Sequence, residues 1–409
     1  MKSNNLTKLF FALSFSVFFN GNSYAFYTAE NGDHSYELRG LLRLNGVIAE
    51  YPEDTFFYTK KNSSGFSEEA RLLIDGLIGN NLSYEVNIQQ AFVPESLLVS
   101  RANPRGIERS ASVHYEFSNH DVNEIDLDRL NIKWSQGDYD IRFGRQAINL
   151  ATTFFFTPND LFAPFAAQTF YRVYKPGVDA LRADLSLNEL SQVSLISVLG
   201  YELEANSDTG WSDSPDAYRT SYLARATAVW QDFEWIALAG RVRKDNVIGL
   251  AASGEVFNWL GIRAEGHVAK SRDNSSNSDT ELSIGLEHRF ENGLDLRFEW
   301  FYHGRGANSI NDYSAVSLQG ETSYLARQYT AFAASYQFTP LLIGSGVWLT
   351  NHVDQSHLLA FNAVYSLSDE SELVVDLSVP YGDEPEGLTI NSEYGLFPKS
   401  FSIEYRGYF

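Results

Sequence analysis

From about residue 35 to its last residue the chain repeats one pattern: stretches of roughly ten residues in which apolar and polar side chains take turns. Leu294, Leu296, Phe298, Trp300 and Tyr302 share one face of such a stretch, and Asp295, Arg297, Glu299 and His303 share the other. Leu82, Tyr84, Val86 and Ile88 stand against Ser83, Glu85, Asn87 and Gln89. Tyr36, Leu38, Leu42, Leu44 and Ile48 stand against Glu37, Arg39, Arg43 and Asn45. Period two means β-strands with two unlike faces, and helical spacing is almost absent after residue 26.

A soluble antiparallel sheet would alternate as well. Two features favour a barrel in lipid instead. The apolar faces carry aromatics near strand ends, such as Trp134, Trp230, Trp300, Tyr302, Tyr336, Phe338 and Tyr365, where amphipathic rings would meet lipid headgroups. The connections also alternate in length: short turns such as Gly79-Asn80-Asn81, Gln136-Gly137-Asp138 and Glu291-Asn292-Gly293 fall between mostly longer polar segments, 50–65, 93–122, 149–176, 202–218, 272–279, 305–322 and 382–396. In hydrocarbon an open sheet edge leaves backbone groups unsatisfied, so such a sheet closes. Strands are expected near 35–49, 67–79, 81–92, 123–136, 138–148, 177–187, 190–201, 219–231, 232–243, 245–254, 259–271, 280–291, 293–304, 323–338, 341–352, 356–367, 371–381 and 398–409. That is an all-β, closed antiparallel transmembrane barrel of about 18 strands, with 16 as the alternative if 245–254 and a neighbour are miscounted, and either is wide enough for an aqueous channel.

Residues 1–25 read as a secretory signal. Lys2 and Lys8 precede the apolar run Leu9 to Phe19, and Ser23-Tyr24-Ala25 presents small residues for cleavage. The barrel is then expected over 26–409 with the loop 149–176 folded inward. A formal charge of −21 argues against nucleic acid as a partner, and the absence of cysteine excludes disulfides and thiolate metal sites. No Walker loop, G-x-S-x-G or H-E-x-x-H motif occurs, so no catalytic residues, cofactor or metal site are expected. His352 and His357 flank a short connection and read as solvated. Asp121, Asn123, Glu124, Asp126 and Asp128 offer hard oxygen ligands but lack the glycine and terminal glutamate of a calcium loop, so a solvated loop–strand junction is the preferred reading over a divalent-cation site.

If apolar faces meet lipid, the opposite faces line the lumen. That places Arg39, Arg43, Arg71, Arg129, Lys133, Arg142, Arg182, Arg225, Arg241, Arg243, Arg263, Arg289, Arg297, Arg327 and Arg406 inside. Glu37, Asp75, Glu85, Asp140, Asp184, Glu265, Glu281, Glu287, Asp295, Glu299, Glu372, Asp376 and Glu404 fall on the same side. An arginine facing lipid at the midplane would cost about 2–4 kcal/mol, which supports this parity. The inward charges serve either a polar channel that selects solutes or cross-strand ion pairs that brace the wall. The loop 149–176 is unusually apolar, with Phe154, Phe155, Phe156, Phe162, Phe165, Phe170, Tyr171 and Tyr174. Exposed outside it would be a sticky patch, so it is expected to fold into the barrel and narrow it. Thr157-Pro158-Asn159-Asp160 predicts a cap and a short helix over Leu161 to Phe165, and Arg172 and Lys175 are placed to meet an anionic group.

The last nine residues, Phe401-Ser402-Ile403-Glu404-Tyr405-Arg406-Gly407-Tyr408-Phe409, resemble the C-terminal assembly signal of Gram-negative outer-membrane porins, with Phe401, Ile403, Tyr405 and the terminal Phe409 as its apolar positions and Gly407 as a departure. Arg142-Phe143-Gly144-Arg145-Gln146-Ala147-Ile148-Asn149, running into Pro158-Asn159-Asp160-Leu161-Phe162, is similar to a segment of alginate-export-like porins. The resemblance implies a bacterial outer-membrane channel for passive or semi-selective diffusion of small hydrophilic solutes. It also implies outer-membrane lipid, lipopolysaccharide and the barrel-assembly machinery as partners, and a homo-oligomer is open. The alternatives are a barrel that sheathes a partner protein and a barrel-embedded hydrolase.

Overall fold

The computed structural model describes residues 27–53, 58, 60–97, 108–110, 112, 114–116, 121–202, 212–272, 278–319 and 324–409. The signal segment 1–25 lies outside them. The strands are β1 (Tyr27–Asn31), β2 (His34–Glu50), β3 (Asn62–Ile78), β4 (Leu82–Val93), β5 (His114–Glu116), β6 (Val122–Gln136), β7 (Tyr139–Gln146), β8 (Val178–Asn188), β9 (Ser191–Val198), β10 (Ser221–Trp230), β11 (Phe233–Val242), β12 (Asp245–Val256), β13 (Leu260–Ser271), β14 (Asp279–Arg289), β15 (Asp295–His303), β16 (Gln328–Thr339), β17 (Leu342–Asn351), β18 (His357–Ser368), β19 (Ser371–Tyr381) and β20 (Lys399–Tyr408). All but β1 and β5 form one antiparallel ring of 18 strands, each paired with its neighbour along the chain. Pairing of β20 with Leu41–Glu50 of β2 seals it.

The expected 18 strands correspond one to one with this ring, and 245–254 is a full member, β12, paired on both sides. The differences are additions. β3 begins at Asn62, five residues earlier than expected. β1 runs beside Tyr36 and Leu38 of β2, below the end of β20. β5 covers Glu124–Asp126 of β6, beyond the point where β7 stops pairing. Both cover otherwise open edges over a few residues, too short for alternation to show.

The seam rests on the chain end. Gly40 and Phe409 exchange backbone hydrogen bonds of 2.5 and 3.0 Å. The ring of Phe409 occupies the space that a side chain at position 40 would fill, which is why glycine stands there. Phe401, Ile403 and Tyr405 lie on the outer face of β20, with Phe401 and Ile403 exposed. That face continues around the ring as an exposed apolar belt including Ile132, Phe143, Leu195, Ile248, Leu250, Phe332 and Phe361. Trp134, Trp230, Trp259, Phe338 and Tyr365 lie within a few residues of the short turns, at one rim of the belt. No helix among the described residues is long and apolar enough to cross a membrane; this barrel presents strands instead.

Two apolar clusters lie inside the ring. One gathers Ile196, Leu223, Leu238 and Val247 around Ile148, Leu150 and Phe162. The other gathers Phe301, Tyr329, Ala331, Val347, Leu349 and Leu358 around Phe156, Tyr313, Ile390 and Tyr394. In each, wall residues are covered by residues of the inturned connections.

Candidate functional site

The connection 147–177 crosses the lumen, and the two walls hold it by different chemistry. On β13 and β15 two inward glutamates grip its backbone. Glu265 accepts from the N–H groups of Thr152 (2.5 Å), Thr153 (3.4 Å) and Asn159 (3.3 Å). Glu299 accepts from three successive N–H groups, those of Phe154 (2.8 Å), Phe155 (3.2 Å) and Phe156 (2.6 Å). Both carboxylates are 1% exposed or less, so the charge-assisted bonds are what makes their burial tolerable. Two guanidinium groups lie over the ring of Phe154, Arg263 at 4.5 Å and Arg297 at 4.2 Å. Phe156 stacks on Phe301 with centroids 4.9 Å apart.

The far end of the loop rests on the other wall. Tyr171 takes Arg43 (4.7 Å) and Arg406 (4.2 Å) over its ring, and Tyr174 takes Arg71 (4.8 Å). β3 and β13 are nine places apart in a ring of 18, so the loop spans a diameter. Phe155, Phe165 and Phe170 are half-buried along it, and Phe162 is fully buried.

Arg172 and Lys175 hold the loop itself. Arg172 donates to the carbonyls of Thr169 (2.8 Å), Ala167 (3.0 Å) and Phe154. Burial pulls its pKa below the usual guanidinium value. Lys175 forms a buried ion pair with Asp160; burial lowers its pKa and Asp160 partly restores it. These two cations are satisfied inside the loop rather than offered to an anion. The short helix over Leu161 to Phe165 is absent: the segment is a bend at 162–163 with irregular backbone around it. Pro164 disfavours helical backbone at the residue before it, and Ala163 sits at φ 48°. Asp160, spent on Lys175 and the Leu150 N–H, does not cap.

On β2, β3, β19 and β20 the inner face is a network of ion pairs. Arg43 bridges Glu69 (2.7 Å) and Glu404 (2.6 Å), and Arg39 pairs with Asp75. Arg406 pairs with Glu404, with Glu372 at 3.6 Å. Around β6 to β10, Arg129 reaches Glu85 (2.8 Å), Lys133 reaches Asp140 (3.1 Å) and Arg182 reaches Asp184 (2.8 Å). Arg263 reaches Glu287 (3.0 Å) and Arg297 reaches Asp295 (2.9 Å) on the third sector. Arg142, Arg225 and Arg289 share the inner face and form no ion pair among the described residues.

Three further sequence expectations change. Arg241 is on the outer face: in β11 Ile236, Leu238 and Val242 turn inward and are buried, while Trp235, Ala237 and Ala239 are exposed with Arg241 in their row. It lies over the ring of Tyr222 at 5.0 Å and bonds Thr220 O (3.2 Å), at the rim where a lipid-side arginine costs only about 0–1 kcal/mol. The parity rule failed there because loop residues, not water, cover that stretch of inner wall. Arg243 is a turn residue at φ 51°, pairing with Glu108 at 2.5 Å, and Arg327 lies just before β16, donating to Gly306 O (3.2 Å). Third, Asp126 and Asp128 are neither solvated nor open to a cation. A bulge at Asp128 interrupts the β4–β6 register, and Arg109 pairs with both carboxylates, joined by Arg71 on Asp128 (3.0 Å) and Arg145 near Asp126 (3.6 Å). His352 is exposed and bonds Thr330 Oγ1, while His357 bonds Thr350 Oγ1 and packs edge-on to Trp348. One grouping has no local signal in the sequence: Asp279, Glu281 and His303 offer ligand atoms within 4.8 Å of one another.

The chain matches no family model and no curated relative. Among solved structures it is similar in fold to Pseudomonas aeruginosa OccK9 (OpdG), with a TM-score of 0.57 at 10% identity over 91% of this chain and 98% of that one. Acinetobacter baumannii OccAB2 gives 0.56 at 8% identity, and a BenF-like porin from Pseudomonas fluorescens Pf-5 gives 0.56 at 9%, each over 91% of this chain and 98% of the other. Identities this low speak for the fold alone. The fold is a closed antiparallel barrel of 18 strands, similar to those solved barrels, with one connection strung across its lumen.

Proposed function

We propose that the chain is a bacterial outer-membrane channel through which small hydrophilic solutes diffuse passively, narrowed by the loop 147–177. The observation that carries this reading is the loop fastened to walls nine strands apart, in a ring with an apolar outside and a charged sector on its inner face. The apolar belt suits outer-membrane lipid, and charged residues on the inner face suit water. No bond is made or broken in transit, so the solute gradient supplies the driving force and no catalytic residue is required. Arg142 and Arg225, which have no carboxylate at ion-pair distance among the described residues, make solutes bearing a carboxylate the favoured cargo on the β7–β10 side. The partners in this reading are lipid and lipopolysaccharide outside and the assembly machinery that reads the end Phe401–Phe409.

Single-channel recording in a planar bilayer tests the reading. Deleting 154–170 removes the crossing segment, and conductance is expected to rise severalfold. An unchanged conductance removes the constriction, and a wild-type protein that never conducts removes the channel.

A further inference from the structure

We propose that Asp279, Glu281 and His303, with His267 beside them, form a binding site for a divalent transition-metal cation of the zinc class on the inner wall near the loop-side rim. The site is built by strand register. His267 of β13 lies directly across from Glu281 of β14, and Glu281 directly across from His303 of β15. The three side chains form one lateral row on the inner face, and Asp279 stands one inward position further along β14. The ligand atoms of Asp279, Glu281 and His303 lie within 4.8 Å of one another, and His303 Nδ1 is 2.9 Å from a Glu281 oxygen. Tetrahedral zinc with ligands at about 2.0–2.2 Å separates them by roughly 3.5 Å, which small side-chain rotations reach.

An observation independent of the clustering points to a ligand. Asp279 Oδ1, His303 Nε2 and His267 Nδ1 have no hydrogen-bond partner, although their residues are only 5%, 2% and 8% exposed. Buried polar atoms are nearly always paired, so the orphaned Asp279 oxygen inside the cluster marks a missing partner, with the two unpaired imidazole nitrogens close by. Charge agrees. Asp245, Asp279 and Glu281 bring three carboxylates, and Arg305 meets two of them, Asp245 at 3.0 Å and Asp279 at 3.1 Å. Two negative charges are left over, which a divalent cation would balance. Imidazole beside carboxylate selects zinc-like ions over calcium or magnesium, which prefer all-oxygen shells. The Glu281 side chain, 20% exposed, leaves a route in from the lumen.

The site rests on the inner face of the barrel and not on the transport reading, and its test needs no transport. Full-length mature protein, folded in detergent, is titrated calorimetrically with zinc chloride and separately with calcium chloride. Heat-dependent gel mobility reports folding. Saturable zinc binding near one ion per chain is expected. Glu281→Gln, which keeps the side-chain shape, and His303→Ala should each weaken it at least about tenfold, and calcium should bind far more weakly. If His303→Ala does not fold, Glu281→Gln decides. Absence of saturable zinc binding, an affinity unchanged in the folded variants, or equal affinity for calcium overturns the proposal.

Discussion

The inner wall of this barrel is two surfaces. On β2, β3, β19 and β20 inward residues are charged and answer one another across strands, as Arg43 answers Glu69 and Glu404. On much of β8 to β18 they are apolar, as with Ile196, Leu238, Tyr329 and Leu349, and inturned connections cover them. Both surfaces belong to strands with the same outward apolar face, so alternation alone does not separate them. What separates them is whether water or a loop stands in front. Glu265 and Glu299 are the buried charges that explain the second surface: carboxylates set beneath a loop because its backbone needs acceptors there.

The largest effect expected from breaking this contrast is at Glu299. Glu299→Ala strips three consecutive N–H groups of their acceptor, and destabilisation of about 3 kcal/mol or more is expected in reversible unfolding, together with conductance approaching that of the loop deletion. Unaltered stability and conductance would show that the stacked rings, not the carboxylate, hold the loop. Next comes Glu393, in the connection 382–398 over the apolar sector. It accepts from Tyr329 Oη, Asn351 Nδ2 (2.8 Å) and Leu325 N (3.2 Å), with no cation beside it in that set. Burial pushes its pKa from 4.5 up to about 7. A raised carboxyl pKa favours the protonated folded form. Its stabilising contribution is therefore full below about pH 4.5 and lost as pH rises through about 7, a difference of about 3 kcal/mol at most. Amide exchange in 382–398, corrected for intrinsic rates, should accelerate over that window in wild type and stay level in Glu393→Gln. The smallest effect sharpens the charged side: Arg142→Glu and Arg225→Glu should each shift the reversal potential toward cations, a change of about two- to threefold in permeability ratio, with little change in conductance. No shift would place those residues outside the ion path.

Much of this was legible in the chain. Strand number and spacing follow from turn chemistry and period two, and most of the inward charges follow from parity, because both are local properties. That 149–176 needs cover was legible in its aromatics, since an exposed loop that apolar would be a sticky patch. The fates of Arg172 and Lys175 were not, because a cation's partner is settled by what the folded loop brings near it. Arg241 was misplaced for the related reason that burial under a loop imitates burial in lipid.

Amino-acid order by itself settled that this chain closes into a ring of strands with one greasy face, since side-chain direction along a strand is dictated by the backbone two residues at a time. Which inward groups meet water, which grip a loop, and that His267, Glu281 and His303 stand abreast were decided only on closure. Register and the path of the inturned connections join residues far apart in the chain, and no local period encodes that distance.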